Sequence, residues 1–440
     1  MGLIRLFVFF LFPAVVFAAP RFEFFEKTDQ GQLIPTSEFY FGAQLVVRVS
    51  GLSQRSYGIH CRRGDAHSKA VIRPNAQGIF QSDRQWSSDG TYLGVDPDGF
   101  FWSMAGPMDF KAPYTFSLEW HSQEITSATL PWKMTRPNVT KHDFGGRDMV
   151  GHLYLPQASE PLPTVVVLGG SEGGVTSASF AAAAWANAGF ASLGLAYFAE
   201  PGLPTKLKNI QLEYFERAFG MLSQHPQVDP NRIALMGTSR GGELALLLGA
   251  YFPRYVSAVI GVTPSQFLWG PSWSFRGQML PHIIGPLSTG RLFRDGQTVL
   301  RQRDGFAASL HALGAHRAYA RIQIEGIDGP VLFVAGEDDQ IWPAADFVRE
   351  AMLDLKAAGR TGDEMQIFSE AGHFISIPGY PTTQTSREHP QFGVVFDNGG
   401  RPDADAHASR EFWTKAKAFL REHLTGCRGD ILSLASYKRR

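Results

Sequence analysis

The sequence predicts an α/β fold, a mostly parallel sheet with helices on both faces, preceded by an immunoglobulin-like β-sandwich domain. Three observations carry that expectation. Between Arg21 and about Trp132 the chain is made of short β-rich runs separated by turn residues: QLVVRVSG at 44–51, GIFQSD at 78–83, GTYLGV at 90–95 and YTFSLEW at 114–120. Such spacing suits a sandwich of antiparallel sheets. From Asp148 onward the texture changes to uninterrupted apolar strands alternating with helical patterns, as expected of a parallel sheet buried between two helix layers. Finally, the glycine-flanked GTSRGG at 237–242 stands between such a strand and such a helix, the context in which a sharp turn presents a reactive side chain.

The first segment is expected to be a processing signal, the alternatives being an uncleaved membrane anchor or a buried strand. MGLIRLFVFFLFPAVVFAA carries Arg5, an apolar run from Leu6 to Phe17 and the small residues Ala18 and Ala19. It reads as a secretory signal peptide over residues 1–18, cut between Ala18 and Ala19, so the protein is expected to be exported, periplasmic or secreted. The run is shorter than the ~20 apolar residues that cross a bilayer, and no later stretch approaches that length without charges. No stable membrane insertion is expected after its removal. In an oxidising compartment the two cysteines, Cys61 and Cys427, either pair or stay separate, and the sequence leaves this open. Asn138-Val139-Thr140 fits a glycosylation acceptor, with meaning only in a eukaryotic source.

Beyond the leader, residues 19–140 form the expected sandwich domain, 141–426 the α/β domain and 427–440 a tail. Over the whole chain 41 Lys and Arg balance 41 Asp and Glu. That leaves no electrostatic footprint for nucleic acid, whose binding rests on clustered cations, and points to small-molecule partners. A hydrophobic share of 44% against 19% charged residues supports folded cores rather than disorder.

In the α/β part, TVVVL at 164–168 is a buried strand, followed by glycines and an Ala-rich helix from Ser177 to Ala188 that Gly189 stops. FASLGLAYF at 190–198 is strand-like, and Leu207, Ile210, Tyr214, Ala218 and Leu222 fall at helical intervals. IALM at 233–236 is a strand, ELALLLGAYF at 243–252 a helix, and VLFVA at 331–335 a strand. A helix over about 344–358, the strand QIFS at 366–369 and a last helix over about 406–424 complete the domain.

The chemistry-bearing residues sit at the ends of these strands. Gly237, Thr238, Ser239, Arg240 and Gly241 have the form of a nucleophile elbow, with glycines where the turn is too sharp for side chains. Gly169, Ser171 and Gly173 repeat the pattern 68 residues before Ser239. The hydrolase layout places an oxyanion loop after an early strand, so Gly170 to Gly173 is read as that loop, with Ser171 as the alternative nucleophile. Its backbone donor is the N–H of Ser171 or Glu172, and the second donor is the N–H of Arg240. A nucleophilic serine needs a base and the base an orienter. Asp338 and Asp339 follow VLFVA, and Asp339, deeper in the turn, is preferred; the bland reading of the pair is a solvated acidic turn. His373 follows QIFS. Ser239, Asp339 and His373 thus run in the order Ser, Asp, His, each at a strand's carboxyl end. This chemistry calls for no cofactor and no metal. Residues 263–315, with Phe267, Leu268, Trp269, Trp273, Phe275, Met279 and Leu280 among Pro and Gly, are read as a cap whose apolar slot, chiefly Phe267, Trp269 and Trp273, binds substrate. Ordinary packing is the alternative.

These motifs also resemble a known family, the acyl-CoA thioesterases and bile acid-CoA:amino acid N-acyltransferases. GTYLGVDPDGFFWSM at 90–104 is similar to the family's signature where its two domains meet. FASLGLAYF, GTSRGGELALLL, IEGIDGPVLFVAGEDDQIWPA and AGHFI match in order and spacing. The resemblance implies that Ser239, Asp339 and His373 form a catalytic triad and that the substrates are fatty-acyl thioesters of coenzyme A. The acyltransferase branch carries Cys at the nucleophile, so Ser239 implies hydrolysis. Arg240, Lys206 and Lys208 are the candidate partners for the coenzyme's phosphates. Family resemblance alone implies a location inside cells, in contrast to the leader. The rival readings are an exported carboxylesterase acting on another ester and a non-catalytic exported binding protein.

Overall fold

The computed structural model describes residues 19–294 and 296–425. The expected signal peptide lies outside the described residues, as does Cys427 and with it the question of a disulfide. Cys61 is buried in the core of the first domain. Among the described residues no helix is long and apolar enough to cross a membrane.

The first domain is a sandwich of two antiparallel sheets. One has the order Leu33–Pro35, Arg21–Lys27, Gln44–Ser50, Phe80–Gln81. The other has the order Gln123–Leu130, Tyr114–Trp120, Tyr57–Arg63, Ala66–Ile72, Ser87–Gly90. Alternate residues point inward, as period-2 strands require: Tyr57, Ile59 and Cys61 on one strand are buried, and Ala66, Ser68, Ala70 and Ile72 on its neighbour. Phe24 of the first sheet meets Phe116 of the second with ring centroids 5.3 Å apart.

The second domain is built on eight strands: β1 (Val139–Gly146), β2 (Met149–Pro156), β3 (Leu162–Leu168), β4 (Ala191–Leu195), β5 (Val228–Thr238), β6 (Ala258–Val262), β7 (Val331–Gly336) and β8 (Glu364–Phe368). Their order is β1-β2-β4-β3-β5-β6-β7-β8. The pairs β1/β2 and β2/β4 are antiparallel and the rest parallel. This is an α/β-hydrolase arrangement. The central strands β3, β4, β6 and β7 are apolar on both sides because both sides are covered. Val166 and Leu168 of β3 join the core formed with α2 (Leu212–Ser223), α3 (Arg240–Tyr251) and α5 (Ala344–Ala357). Val165 and Val167 join the opposite core, formed with α1 (Thr176–Asn187) and α6 (Pro402–Thr425). Each such buried side chain contributes roughly 1.5–3 kcal/mol. The remaining helix of this domain, α4 (Arg303–Leu313), lies within residues 263–315, the segment expected to form a cap.

Several local expectations shift. Of the β-rich run at 90–95 only Gly90 belongs to a strand, and the helix expected from Glu243 begins at Arg240. The helix expected to include Leu207 and Ile210 begins only at Leu212, because Ile210–Gln211 pairs as a short parallel strand with Trp273–Phe275 of the cap. The last helix starts at Pro402, four residues earlier than expected; proline is tolerated there because the first helical N–H has no partner to lose.

A further sheet joins segments that no periodicity connected: Gly290–Arg294, Gln297–Arg301, Val394–Asp397 and Ser386–His389, in that order. Its centre is held by the buried Asp397, which accepts from Arg301 at 2.7 Å and from Arg294 at 3.3 Å. Residues 382–400 form a strap rooted on the first domain, where Thr382 N–H donates to the Trp102 carbonyl at 3.0 Å and Thr383 Oγ1 to that of Met104 at 2.8 Å. The same junction is pinned from α6 by Arg410, 2.9 Å from Asp96 and 3.2 Å from Asp98. GTYLGVDPDGFFWSM therefore lies where the two domains touch.

Candidate active site

Ser239 occupies the turn between β5 and α3 with φ +58° and ψ −122°, a region that costs a non-glycine residue roughly 1–3 kcal/mol. The glycines around it are forced by contact. A methyl on Gly241 would stand 2.3 Å from the carbonyl oxygens of Leu168 and Gly169, and one on Gly237 1.9 Å from the Gly241 carbonyl oxygen. The turn is anchored by the Ser239 N–H to Val262 carbonyl bond, 2.9 Å, across to β6. Among the described residues the Ser239 hydroxyl forms no hydrogen bond.

Because β3 pairs with β5, with Leu168 opposite Gly237, the loop after β3 reaches the same place. A methyl on Gly170 would lie 3.4 Å from Ser239 Cβ. Within this loop the Glu172 carboxylate turns back to accept the Gly170 N–H at 3.1 Å and the Ser177 hydroxyl, while Tyr197 donates to the Gly169 carbonyl at 2.6 Å. The Gly170 N–H is thereby used. Those of Ser171 and Glu172 have no acceptor among the described residues, and the Arg240 N–H, at the first position of α3, has no intrahelical one.

Asp339, fully buried, follows β7, and His373 follows β8. Oδ2 of Asp339 accepts from His373 Nδ1 at 2.6 Å; its Oδ1 accepts the N–H groups of Ile341 at 2.9 Å and Trp342 at 3.2 Å. With Nδ1 donating, a neutral imidazole leaves Nε2 as an acceptor. Asp338 is turned outward, accepting from Gln340 at 2.6 Å and from the Gly400 N–H at 2.9 Å. His373 is further fixed through its N–H to the Asn398 carbonyl at 2.7 Å and through Trp342, whose indole stands edge-on at 5.9 Å and donates to the Thr263 carbonyl at 3.0 Å. Strands β5, β6, β7 and β8 are consecutive neighbours, so Ser239, Thr263, Asp339 and His373 share one edge of the sheet.

Other expected residues have different surroundings. The Arg240 guanidinium is buried and donates at 2.5 Å to Glu243, to the Trp269 carbonyl and to Ser272 Oγ. Its donors are committed inside the protein rather than offered to a phosphate. Glu243, completely buried, also accepts the Trp273 indole N–H at 2.6 Å; burial pushes its carboxyl up to about 7 against the opposing pull of Arg240. Phe267, Trp269 and Trp273 are 1%, 3% and 1% exposed, so they pack in the core instead of walling an open slot. The two tryptophans can be buried because each indole N–H has a buried acceptor, Glu243 for Trp273 and, for Trp269, Ser265 Oγ at 2.9 Å. Lys206 and Lys208 lie exposed in the turn between β4 and α2.

Sequence reasoning passed over Glu243, the Glu172 carboxylate and Asp405. The last is buried in the first turn of α6 and accepts the N–H of Gly372, next to His373, at 2.7 Å; burial pushes it up to about 7. The available signal was an acidic residue at a helix start.

Known proteins resemble this chain over both of its domains. The model of the BAAT / acyl-CoA thioester hydrolase C terminal matches residues 210–426, and that of the acyl-CoA thioester hydrolase/BAAT N-terminal region matches residues 43–130. The chain is 27% identical over 376 residues to human acyl-coenzyme A thioesterase 6, covering 82% of this chain and 87% of that protein. It is 28% identical over 389 residues to human acyl-coenzyme A thioesterase 1, covering 84% and 88%. To mouse acyl-coenzyme A amino acid N-acyltransferase 1 it is 27% identical over 376 residues, covering 81% and 87%.

Proposed function

The chain belongs to the family of acyl-CoA thioester hydrolases and bile acid-CoA:amino acid N-acyltransferases, and from that membership we propose that it is a serine hydrolase cleaving fatty-acyl thioesters through an acyl-Ser239 intermediate. The observation that carries this reading is the 2.6 Å bond from His373 Nδ1 to buried Asp339 beside the strained Ser239 turn. In the proposed reaction Ser239 Oγ attacks the thioester carbonyl carbon while His373 Nε2 takes the hydroxyl proton, and Asp339 stabilises the resulting imidazolium. The oxyanion takes hydrogen bonds from the Arg240 N–H and from that of Ser171 or Glu172; one such donor is worth about 3 kcal/mol. The C–S bond breaks and the thiol leaves with the proton from His373. Water, deprotonated by the same nitrogen, then attacks the acyl ester, releasing the carboxylic acid and returning the proton to Ser239.

A second reading is favoured by the leader-like residues 1–18 and by the internal engagement of Arg240. In it the protein is exported and hydrolyses an oxygen ester rather than a coenzyme A thioester. Turnover of a panel of acyl-CoAs and p-nitrophenyl esters by the purified protein separates the two. Loss of all turnover and of fluorophosphonate labelling in Ser239→Ala is expected under both. A labelled, fully active Ser239→Ala would overturn both, and an unlabelled, inert wild type would favour the binding-protein alternative.

A further inference from the structure

The loop that carries the expected oxyanion donors has no regular secondary structure, yet its N–H groups must be fixed to within a fraction of an ångström to serve a transition state. Glu172 and Tyr197 hold it from beneath. From the other side it is met by the strap. His389 Nε2 lies 2.9 Å from Ser171 Oγ, and the Gln391 side chain donates to the Glu172 carbonyl at 3.0 Å.

The tautomer of His389 follows from its other nitrogen. Nδ1 accepts the backbone N–H of Gln391 at 3.2 Å, so the proton of the neutral ring is on Nε2, which donates to Ser171 Oγ. The ring is stacked on Phe392 at 4.3 Å and faces the edge of Phe396 at 5.8 Å; burial holds its pKa below the ordinary value, against the pull of Glu172. A second Ser–His nucleophile pair is thereby excluded as the role of this contact, because a protonated Nε2 has no lone pair to accept the Ser171 proton.

The same strap reaches the other half of the site. Asn398, just beyond the strand Val394–Asp397, accepts the His373 N–H, and Gly399 bridges to Asp339. The hairpin at 386–397 and the two residues that follow it thus touch the donor loop through 389 and 391 and the expected base and its carboxylate through 398 and 399. We infer that His389 is a positioning residue: its Nε2–H, with the side chain of Gln391, clamps Ser171 and Glu172 so that their backbone N–H groups stay aimed beside Ser239. This rests on the serine-hydrolase reading for its catalytic consequence but not for the clamp itself.

His389→Leu removes the donor while retaining an apolar body between Phe392 and Phe396, Ser171→Ala removes the acceptor, and His389→Gln restores an N–H at a similar reach. For ester or acyl-CoA turnover, His389→Leu and Ser171→Ala each lower kcat about tenfold with KM within twofold. The double variant is no worse than either single one, since both break the same bond. His389→Gln recovers most of the rate. Amide hydrogen exchange of peptides covering Gly169–Gly173 becomes at least tenfold faster in His389→Leu and Ser171→Ala, while β3 and β5 exchange as in the wild type. Unchanged exchange in the loop overturns the clamp, and so does additivity of the two substitutions. Faster exchange with an unchanged kcat overturns its catalytic role. If the wild type turns over no ester or thioester, the Ser239 reading fails instead, and the exchange measurement still decides the clamp.

Discussion

Oδ2 of Asp339 accepts from Nδ1 of His373 at 2.6 Å, while its second oxygen is occupied by the N–H groups of Ile341 and Trp342. One carboxylate thus both orients the imidazole and caps the turn that holds it, and its neighbour Asp338 does neither. Asp339→Asn retains an oxygen for the turn but presents an amide to the ring and reverses the tautomer. Its kcat is expected to fall about 10⁴-fold, as loss of the equivalent orienter does in serine proteases, with a near-normal circular dichroism spectrum. Asp338→Asn is expected to stay within twofold of the wild type. The opposite pattern in kcat would assign the wrong aspartate.

Ser239 sits at φ +58°, where glycine is unstrained. Ser239→Gly should abolish turnover and stabilise the fold by about 1 kcal/mol, read as a rise in denaturation midpoint with an unchanged m-value. A destabilised glycine variant would show that the turn is not strained in this way.

Arg240 and Glu243 are a buried pair joining the start of α3 to the cap. Arg240→Met leaves an uncompensated buried carboxylate and should cost about 3–5 kcal/mol, and adding Glu243→Leu should return part of it. If Arg240 instead bound a coenzyme phosphate, Arg240→Met would raise KM for acyl-CoA and leave that for p-nitrophenyl esters alone. Comparing the two KM values decides.

Asp405 has its carboxyl raised from 3.8 to about 7 by burial. A raised carboxyl means that the native state binds more protons than the unfolded one between these values. Its contribution to stability is full below pH 3.8 and is lost as pH rises to about 7. Asp405→Asn keeps an acceptor for the Gly372 N–H without the charge, so the variant should gain stability over the wild type as pH rises through this window. The gain is on the order of a few kcal/mol. Parallel pH profiles of unfolding free energy would contradict the assignment.

Trp269 is buried against Phe306, ring centroids 4.7 Å apart. Trp269→Ala should cost about 3–5 kcal/mol. If it also shifts acyl-chain preference in a chain-length series, the ring contributes to an acyl slot that opens on binding. Lost stability with unchanged preference leaves it as packing alone.

The features legible in the sequence were local. An apolar strand followed by glycines and a helix specifies its own turn, so the places of Ser239, the loop at 169–173, Asp339 and His373 at strand ends could be read without knowing their neighbours. The resemblance to a family added the expected chemistry. The surroundings of Arg240, Trp269 and Trp273 could not be read the same way. An arginine beside a nucleophile looks available until Glu243, Ser272 and the Trp269 carbonyl are seen to use its donors. Tryptophans among prolines and glycines look like a cleft wall until their indoles are seen to be bonded inside.

By itself, then, the sequence determined two domain textures, the sheet with its covering helices, and the order of reactive side chains along it, because periodicity and turn chemistry act over a few residues. Tertiary structure alone decided where the buried arginine spends its charge, and that the hairpin at 386–397 crosses to Ser171, more than 200 residues away in the chain. Such contacts depend on the free energy of the whole packed molecule, in which a hydrogen-bond partner is selected by proximity in space and by exclusion of water, and neither quantity has a period along the chain.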